Sequence, residues 1–399
     1  MKNLYQFFFN FLILIDIAVS SYIRASFKSG FNKSIDIKSN IVKRKVKGDH
    51  CFKWSFPIHF LISNGVNKNI VTQALNEIQR HTCIRFKLHV GQFVEREGIR
   101  FDVGEECWSE VGRQFKNKWQ SILISDHCST IGTIIHETIH ALGVDHEHSR
   151  IDRHKYLYFF PQNVDDEAME DFDTVDCQDS QTLGMPYDYG SIMHYDRYAY
   201  SRNDRKTMTP KHPLYAQTIG HEESLSFLDI QTLNTFYCSK ACRFKIKCFN
   251  GGYQNPNKCF SCKCVEGFGG VFCKRFSSPR FLCGKNRLSA KLYQKVLQNS
   301  GKKNCFYHII APVGKKIFIT INAIKLLPSE LNICYPSTSL EVKYFADKRI
   351  TGARFCGLSS KIKIFSEDNH VIVYFRSPQR HNFFKLTYKI LQRRRLISN

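Results

Sequence analysis

The stretch HETIHALGVDHE, residues 136–147, does most to determine the fold and the chemistry of this chain. It reads H-E-x-x-H-x-x-G-x-x-H and is followed directly by a glutamate. His136 and His140 are four residues apart, so on a helix they lie on one face, one turn apart. Gly143 permits a left-handed conformation that ends the helix and lets His146 approach the same point. Three imidazoles in this arrangement can hold one Zn²⁺ per chain and leave a coordination position open.

The sequence around these histidines, STIGTIIHETIHAL, predicts the helix that the metal site requires. Ser129 and Thr130 are candidate N-caps. Glu137, next to the first histidine, is the natural general base for a metal-bound water. The sequence therefore indicates metal-assisted hydrolysis of amide bonds. The apolar positions at helical spacing are Ile131, Ile134, Ile135, Ile139 and Leu142.

A second motif, YDYGSIMHYDRYAY at residues 187–200, supports this interpretation. An H-E-x-x-H-x-x-G-x-x-H motif with a later methionine is the metzincin pattern. The continuation HEHSRIDR and the turn SIMHY resemble the astacin family of metzincins specifically. The chain departs from the usual astacin pattern at Val144 and His154, which affects local packing and not the metal ligands.

The resemblance implies roles for three further residues. Met193 would be the turn methionine that forms an apolar base beneath the zinc site. Tyr195 would be a switchable residue that ligates zinc at rest and then donates a hydrogen bond to the oxyanion. Glu147 resembles the glutamate that receives the amino terminus of the mature protease, as an activation latch. Trp108 and Ser109, in GEECWSEVGRQ, would border the substrate cleft on an edge strand, although Trp108 is equally well explained as a core residue.

The first twenty residues predict a signal peptide, because a lysine precedes an apolar run and Ala18-x-Ser20 suits cleavage. We therefore expect a secreted, extracellular protein without a transmembrane anchor. Residues 21–44 resemble a basic pro-segment that ends at Lys43-Arg44-Lys45, with a mature terminus near Lys45. Asp36 is the only candidate there for the zinc-silencing aspartate of the family.

The remaining chain predicts a multidomain protein of three modules. Residues 45–239 mix helical and strand periodicity, as an α+β astacin-like catalytic domain would. Residues 240–274 resemble a small, disulfide-rich EGF-like module, with a zinc knuckle as the rival interpretation. Residues 283–391 resemble an all-β CUB sandwich, and 392–399 form a basic tail. No carboxylate follows Cys334 closely, so we expect no calcium site in the CUB domain.

Sixteen cysteines, an even number, fit an oxidising compartment. The resemblance implies pairing of Cys83 with Cys238 and of Cys107 with Cys128. Cys51 and Cys177 are absent from the minimal family pattern and by elimination pair with each other, although spacing does not determine connectivity. The EGF-like cluster contains Cys242, Cys248, Cys259, Cys262, Cys264 and Cys273, and the CUB region contains Cys283, Cys305, Cys334 and Cys356.

Charge is distributed very unevenly along the chain. The formal net charge is +23, yet residues 240–399 carry 31 Lys+Arg against 6 Asp+Glu, and the first 239 residues are close to neutral. A secreted basic region favours anionic glycans or acidic proteins as partners, through salt-sensitive attraction, and secretion argues against nucleic acid. The astacin resemblance implies that substrates often carry acidic residues after the scissile bond, which one or more of Arg197, Arg202, Arg205 and Lys206 would favour.

Three hypotheses follow from these observations. The first is a secreted zinc endopeptidase that cleaves extracellular proteins. The second is a catalytically inactive secreted binding protein that uses the basic EGF-like and CUB regions, which the complete set of His136, Glu137, His140, His146 and Tyr195 disfavours. The third is a member of another metzincin family with the same chemistry. The sequence does not identify the physiological substrate, the activating protease or the oligomeric state.

Overall fold

The computed structural model describes residues 53–90, 96–174, 182–330 and 332–392. By its contacts the chain divides into two units, residues 1–42 and residues 43–399, and only the second contains described residues. The expected signal peptide, the pro-segment with Asp36, the mature terminus near Lys45, and the Cys51–Cys177 pairing therefore lie outside the described residues. So does all but the first residue of the basic tail. In the described residues, no helix has the length and apolar character that a membrane span needs.

Three α-helices and 21 strands make up the regular structure of the described ranges. The helices are α1 (Lys68–His81), α2 (Ile131–Ala141) and α3 (Phe227–Tyr237). Short 3-10 helices lie at Asp126–Cys128, Glu147–Ser149, Arg153–Lys155, Pro161–Asn163, Asp166–Phe172 and Pro213–Tyr215. The strands of the first half are β1 (Ile58–Ile62), β2 (Phe86–Leu88), β3 (Gly98–Val103), β4 (Trp108–Ser109), β5 (Trp119–Ile124), β6 (Leu157–Phe159) and β7 (Met208–Pro210).

The remaining strands belong to the second half of the chain. Two small pairs cover the six-cysteine region: β8 (Tyr253–Gln254) with β9 (Cys262–Lys263), and β10 (Phe268–Gly269) with β11 (Arg275–Phe276). The others are β12 (Arg287–Ser289), β13 (Lys295–Ser300), β14 (Lys303–Ile310), β15 (Ile317–Leu326), β16 (Ser339–Lys343), β17 (Ala353–Phe355), β18 (Gly357–Ser359), β19 (Ile362–Phe365), β20 (His370–Ser377) and β21 (Phe383–Ile390).

The catalytic region is built on a five-stranded sheet of order β2-β1-β3-β5-β4. Its strands run parallel except β4, which pairs antiparallel with β5 at the edge. Helices α1 and α2 contribute their apolar faces to the same core as this sheet. Of the apolar positions predicted on α2, Ile134, Ile135, Ile139 and Leu142 are in this core, whereas Ile131 is exposed. The alternating run from Ile84 to Val90 forms a strand only over Phe86–Leu88.

Residues 283–391 form the expected β-sandwich. One sheet has the order β12-β14-β20-β16-β17, and the other has the order β13-β21-β15-β18, with β19 also paired to β15. The alternating runs VIVYF and FFKLTYKI, which are typical of sandwich strands, lie in β20 and β21. Alternating residues from both sheets fill the core between them, as in other sandwiches.

Seven disulfides join all the cysteines among the described residues. Cys83–Cys238 and Cys107–Cys128 are the two pairs that the family resemblance implied. Because the six cysteines of residues 240–274 pair with one another, they cannot act as thiolate ligands, which rules out the zinc knuckle. The other five bonds are Cys242–Cys259, Cys248–Cys262, Cys264–Cys273, Cys283–Cys305 and Cys334–Cys356.

The modules pack against each other inside the second unit. The hydrophobic core of the sandwich is continuous with tyrosines of the catalytic region such as Tyr187, Tyr189 and Tyr215. A smaller cluster joins Val265 and Phe268 of the six-cysteine region to Tyr374 of the sandwich. The second half of the chain is therefore a structural neighbour of the catalytic region and not a tethered appendage.

A capping box fixes the start of α3. Asp229 in the first turn of this helix contacts the turn from residue 188 to residue 193, beside the metal site. The Ser226 hydroxyl accepts the Asp229 amide at 3.0 Å, and the Asp229 carboxylate accepts the Ser226 amide at 2.9 Å. Replacement of Ser226 by Ala should cost about 1 kcal/mol of unfolding free energy, because one helix-end amide loses its acceptor. Urea denaturation measures this cost. Ser55→Ala, at an exposed position, should have almost no effect, and equal losses in both variants would contradict the assignment.

Candidate metal centre and active site

Helix α2 presents the first two histidines as the i, i+4 spacing predicts. Of the two candidate caps, Thr130 is the one that begins the helix, and its hydroxyl accepts the Thr133 amide. Gly143 has φ = +93°, the left-handed conformation expected at the helix end. The chain then turns back so that His146 reaches the same point as His136 and His140.

The three imidazoles converge as a metal site would require. Their ligand atoms lie within 4.8 Å of one another, and Nε2 of His146 is 3.3 Å from Nε2 of His136 and 3.0 Å from Nε2 of His140. Zinc–nitrogen bonds of about 2.0–2.1 Å in a tetrahedron imply nitrogen separations of roughly 3.3 Å, so the donor set fits zinc. In the described residues, this is the one group of three or more metal-ligating side chains so arranged.

Hydrogen bonds fix the ring orientation of two of these histidines. Nδ1 of His136 donates to the Ile192 carbonyl at 2.8 Å, and Nδ1 of His140 donates to the Val144 carbonyl at 2.9 Å. Each Nε2 is thereby left as a lone-pair donor that points toward the common centre. Burial lowers the pKa of His140 well below its usual value, which keeps that ring neutral and able to ligate a cation.

Glu137 lies beside the triad as a buried carboxyl. Burial raises its pKa to about 7; the neighbouring His136 opposes this shift and Glu222 adds to it. A carboxyl with a pKa near neutrality can both accept and release a proton at physiological pH. A pKa near 7 lies in the range that suits a general base.

The turn that contains Met193 holds residues of the metal site in place through backbone hydrogen bonds. Met193 is buried in the same core as the apolar face of α2. The peptide before it supplies the Ile192 carbonyl that holds His136, and its own carbonyl accepts the Glu147 amide at 2.8 Å. Asp229 holds the turn in place by accepting the Ile192 amide at 3.0 Å and the Ser191 hydroxyl at 2.6 Å.

Tyr195 lies against the third histidine. Its ring centroid is 4.3 Å from that of His146 and 4.1 Å from that of His148, with which it stacks. Its ring centroid is 5.6 Å from that of Tyr200, a residue that adopts φ = +50°. Burial raises the pKa of Tyr195 well above its usual value, so the phenol stays protonated and can donate a hydrogen bond.

Glu147 is almost completely buried beside the Met193 turn. Its carboxylate forms an ion pair with Arg150 at 3.0 Å and accepts the Asp188 amide at 2.9 Å. The amino terminus that the latch would bind belongs to residues outside the described part of the chain. The latch therefore stays a prediction.

The two predicted cleft residues, Trp108 and Ser109, lie on opposite faces of the edge strand β4. Trp108 is 50% exposed, which rules out the core alternative, whereas Ser109 is buried. Of the four cations considered for substrate contacts, Arg197 contacts Asn332 and Arg202 pairs with Asp166, while Arg205 and Lys206 are exposed.

Sequence reasoning missed two residues close to the site. His148 is fully buried and stacks on both His146 and Tyr195, at centroid distances of 5.1 and 4.1 Å, and its Nε2 is 3.2 Å from the Asp171 carbonyl. Tyr200 lies next to Tyr195, with 5.6 Å between their ring centroids. His148 lies in the motif HEHSRIDR and Tyr200 in the motif YDYGSIMHYDRYAY. Only the side-chain positions distinguish these two residues from the other histidines and tyrosines of the same motifs.

A buried triad of histidines with a carboxyl beside it, held on one helix and the following turn, defines a zinc metallopeptidase site. Residues 47–238 match the model of the Astacin peptidase family, and residues 283–388 match the CUB domain model. The chain belongs to the astacin family and carries a CUB domain.

Individual relatives agree with this assignment. Zinc metalloproteinase nas-34 of Caenorhabditis elegans is 35% identical over 341 residues, which cover 84% of this chain and 55% of the relative. Zinc metalloproteinase nas-23 of the same organism is 33% identical over 343 residues, covering 84% and 63%. This chain thus spans less than two thirds of the length of either relative. Among solved structures, High choriolytic enzyme 1, a hatching enzyme zinc-protease from Oryzias latipes, is 32% identical and matches 46% of this chain and 92% of that chain, with a TM-score of 0.41.

Proposed function

We propose that this chain is a secreted zinc-dependent endopeptidase that hydrolyses peptide bonds in extracellular proteins. The observation that carries the proposal is the convergence of the Nε2 atoms of His136, His140 and His146 beside the buried carboxyl of Glu137. A catalytically inactive binding protein would have no need to keep this arrangement.

Zinc bound by the three histidines would polarise the scissile carbonyl and make a bound water acidic. Glu137 then accepts a proton from the attacking water and returns it to the leaving amine. Its pKa near neutrality suits both steps. His136 and His140 hold their orientation through the Ile192 and Val144 carbonyls, so the ligand set is preorganised.

Tyr195 is the proposed oxyanion donor. Its protonated hydroxyl can donate to the oxygen that becomes negative in the tetrahedral intermediate. Stacking on His148 would guide the movement of the ring toward that oxygen, because the aromatic contact leaves the ring free to slide in its own plane.

Substrate is proposed to bind in extended form along β4. An edge strand has unpaired amides and carbonyls on its outer side, which an added peptide strand can satisfy. Trp108, half exposed on this strand, offers an aromatic surface to a substrate side chain.

The activity is tested with the mature chain and a denatured protein substrate. We expect cleavage at internal peptide bonds, loss of cleavage after removal of zinc by a chelator, and recovery when zinc is restored. Mass spectrometry of the products separates endopeptidase cleavage from trimming of the ends. Metal-loaded protein that binds the substrate without cleaving it would support the binding-protein alternative instead.

Secretion and an anionic partner form the second part of the proposal. The predicted signal peptide and the disulfides of the described residues favour an oxidising compartment. In the six-cysteine region, Lys247 and Lys274 both lie over the ring of Phe249, at 5.5 and 4.3 Å from its centroid, which brings two exposed cations together. Such a cluster can attract sulfated glycans or acidic proteins.

Heparin retention tests this surface without removing a module that the catalytic region packs against. The double variant Lys247→Glu/Lys274→Glu should elute from heparin at clearly lower salt than the wild type, because the cluster becomes anionic. Lys116→Glu/Lys118→Glu is the matched control, with the same change in net charge on exposed residues of the catalytic region. Equal shifts in both variants would show that only net charge matters, which would contradict a specific binding surface.

A further inference from the structure

A loop of the CUB domain packs against the turn from residue 188 to residue 193, and Thr351 makes the contact. The Thr351 amide donates to Oδ1 of Asp188 at 3.0 Å, and its hydroxyl donates to Oδ2 at 3.2 Å. Its carbonyl accepts the hydroxyl of Tyr215 at 3.1 Å. One buried threonine of the CUB domain thus makes three hydrogen bonds with the catalytic region, two of them to a single carboxylate.

Asp188 depends on these contacts because it has almost no access to water. It is 1% exposed, and burial raises its pKa, with the nearby Asp229 acting in the same direction. Its other side-chain contact with a backbone donor is the Gly190 amide, at a longer 3.3 Å. A buried carboxylate that loses a donor either stays destabilised or takes up a proton.

The junction is also too tight for another side chain. A Cβ atom placed on Gly190 would lie 2.3 Å from Cγ2 of Thr351, so only glycine permits this approach. The turn and the CUB loop are therefore in direct contact at Gly190 as well as at Asp188, and a shift of one must move the other.

Short contacts connect Asp188 to the first zinc ligand. Its carbonyl accepts the Ser191 amide at 3.1 Å, and its amide donates to Glu147. The next residue along the turn, Ile192, provides the carbonyl that orients His136. Asp188 thus begins the turn on which the orientation of His136 depends.

We propose that Thr351 of the CUB domain is a positioning residue for the zinc site, acting through Asp188 and the turn from residue 188 to residue 193. The CUB domain is then part of the catalytic unit and not solely a module for binding partners. This inference rests on the proposed zinc peptidase function and adds to it a residue outside the catalytic region.

The test compares variants of the full chain. Thr351→Val and Thr351→Ala remove the hydroxyl donor, Thr351→Ser keeps it, and Thr218→Val is the matched junction control. The Thr218 hydroxyl accepts the Arg354 amide of the CUB domain at 2.9 Å and so bonds to a different residue of the junction. The measurements are the rate of zinc release to a chelator, hydrogen exchange of residues 188–195, and kcat and KM separately.

We expect Thr351→Val and Thr351→Ala to release zinc about tenfold faster and to lose about tenfold in kcat, with KM little changed. Hydrogen exchange of residues 188–195 should be faster in both, while Thr351→Ser and Thr218→Val should resemble the wild type in all three measurements. A lower unfolding temperature with unchanged zinc release and kcat would make Thr351 a structural contact only and overturn the proposal. Equal changes in Thr218→Val would overturn it as well.

Zinc release and hydrogen exchange do not depend on a substrate. If the wild type cleaved no protein at all, the proposed function would fail, yet these two measurements would still decide whether Thr351 positions the metal site.

Discussion

A Glu137→Gln variant is expected to lose about 10²- to 10⁴-fold in kcat/KM for peptide cleavage, because an amide cannot accept the proton of the attacking water. The change is nearly isosteric, so the three histidines keep their positions. The site should bind zinc as the wild type does, and metal analysis of the purified variant checks this point.

The loss should reside mainly in kcat. Glu137 acts on the water and the leaving amine, whereas extended substrate is proposed to bind along β4 at the edge of the sheet. A variant that loses only transition-state stabilisation leaves the ground-state complex largely intact. Steady-state kinetics with zinc-saturated protein separates the two parameters.

A matched carboxylate controls for general electrostatic effects. Glu106 is exposed, and its charge raises the pKa of Tyr200, but it is not one of the residues beside the three histidines. Glu106→Gln should therefore cleave peptides nearly as fast as the wild type. If Glu137→Gln cleaved peptides as fast as the Glu106 variant, the mechanism proposed here would be wrong.

The local part of the site could be predicted from the sequence because its physical determinants are local. The spacing of His136 and His140, the left-handed Gly143 and the cap of α2 all act within one or two helical turns. The same holds for the alternating strands of the CUB sandwich. A sequence pattern predicts features of this kind because it reflects interactions between residues that are close along the chain.

The supporting contacts could not be predicted in this way. Thr351 and Asp188 are 163 residues apart, and nothing in the sequence around either residue marks the other as its partner. The stacking of His148 on Tyr195 and the partial exposure of Trp108 likewise depend on how distant elements pack. For the same reason the sequence did not show that the CUB domain packs against the catalytic region.

Arg150→Met should be among the most destabilising single substitutions in the catalytic region. Arg150 and Glu147 form an ion pair at 3.0 Å in which both side chains are 2% exposed. The guanidinium also binds Asp152 through two nitrogens, at 2.8 and 2.9 Å, and donates to the carbonyls of Met185 and Pro186 at 3.1 Å each. Burial lowers the pKa of Arg150, but the charges of Glu147 and Asp152 more than offset this effect and keep it charged.

Removal of one partner from a buried ion pair typically costs about 3–5 kcal/mol, because the other charge stays buried without compensation. Methionine fills much of the volume of arginine, so the loss measures the charge and the hydrogen bonds more than a cavity. Urea denaturation of the mature chain gives the change in unfolding free energy. We expect the catalytic region of the variant to unfold at a much lower urea concentration than in the wild type.

Arg202→Met provides the matched surface control. Arg202 pairs with Asp166 at 3.1 Å, but the two side chains are 44% and 86% exposed, and exposed pairs contribute about 0–1 kcal/mol. The double variant Glu147→Gln/Arg150→Met should cost less than the sum of its single variants, because each single change leaves one buried charge without its ion-pair partner, and the double change removes both charges. Additive costs, or a loss in Arg150→Met no larger than in Arg202→Met, would show that the buried pair does not stabilise the turn beside the zinc site.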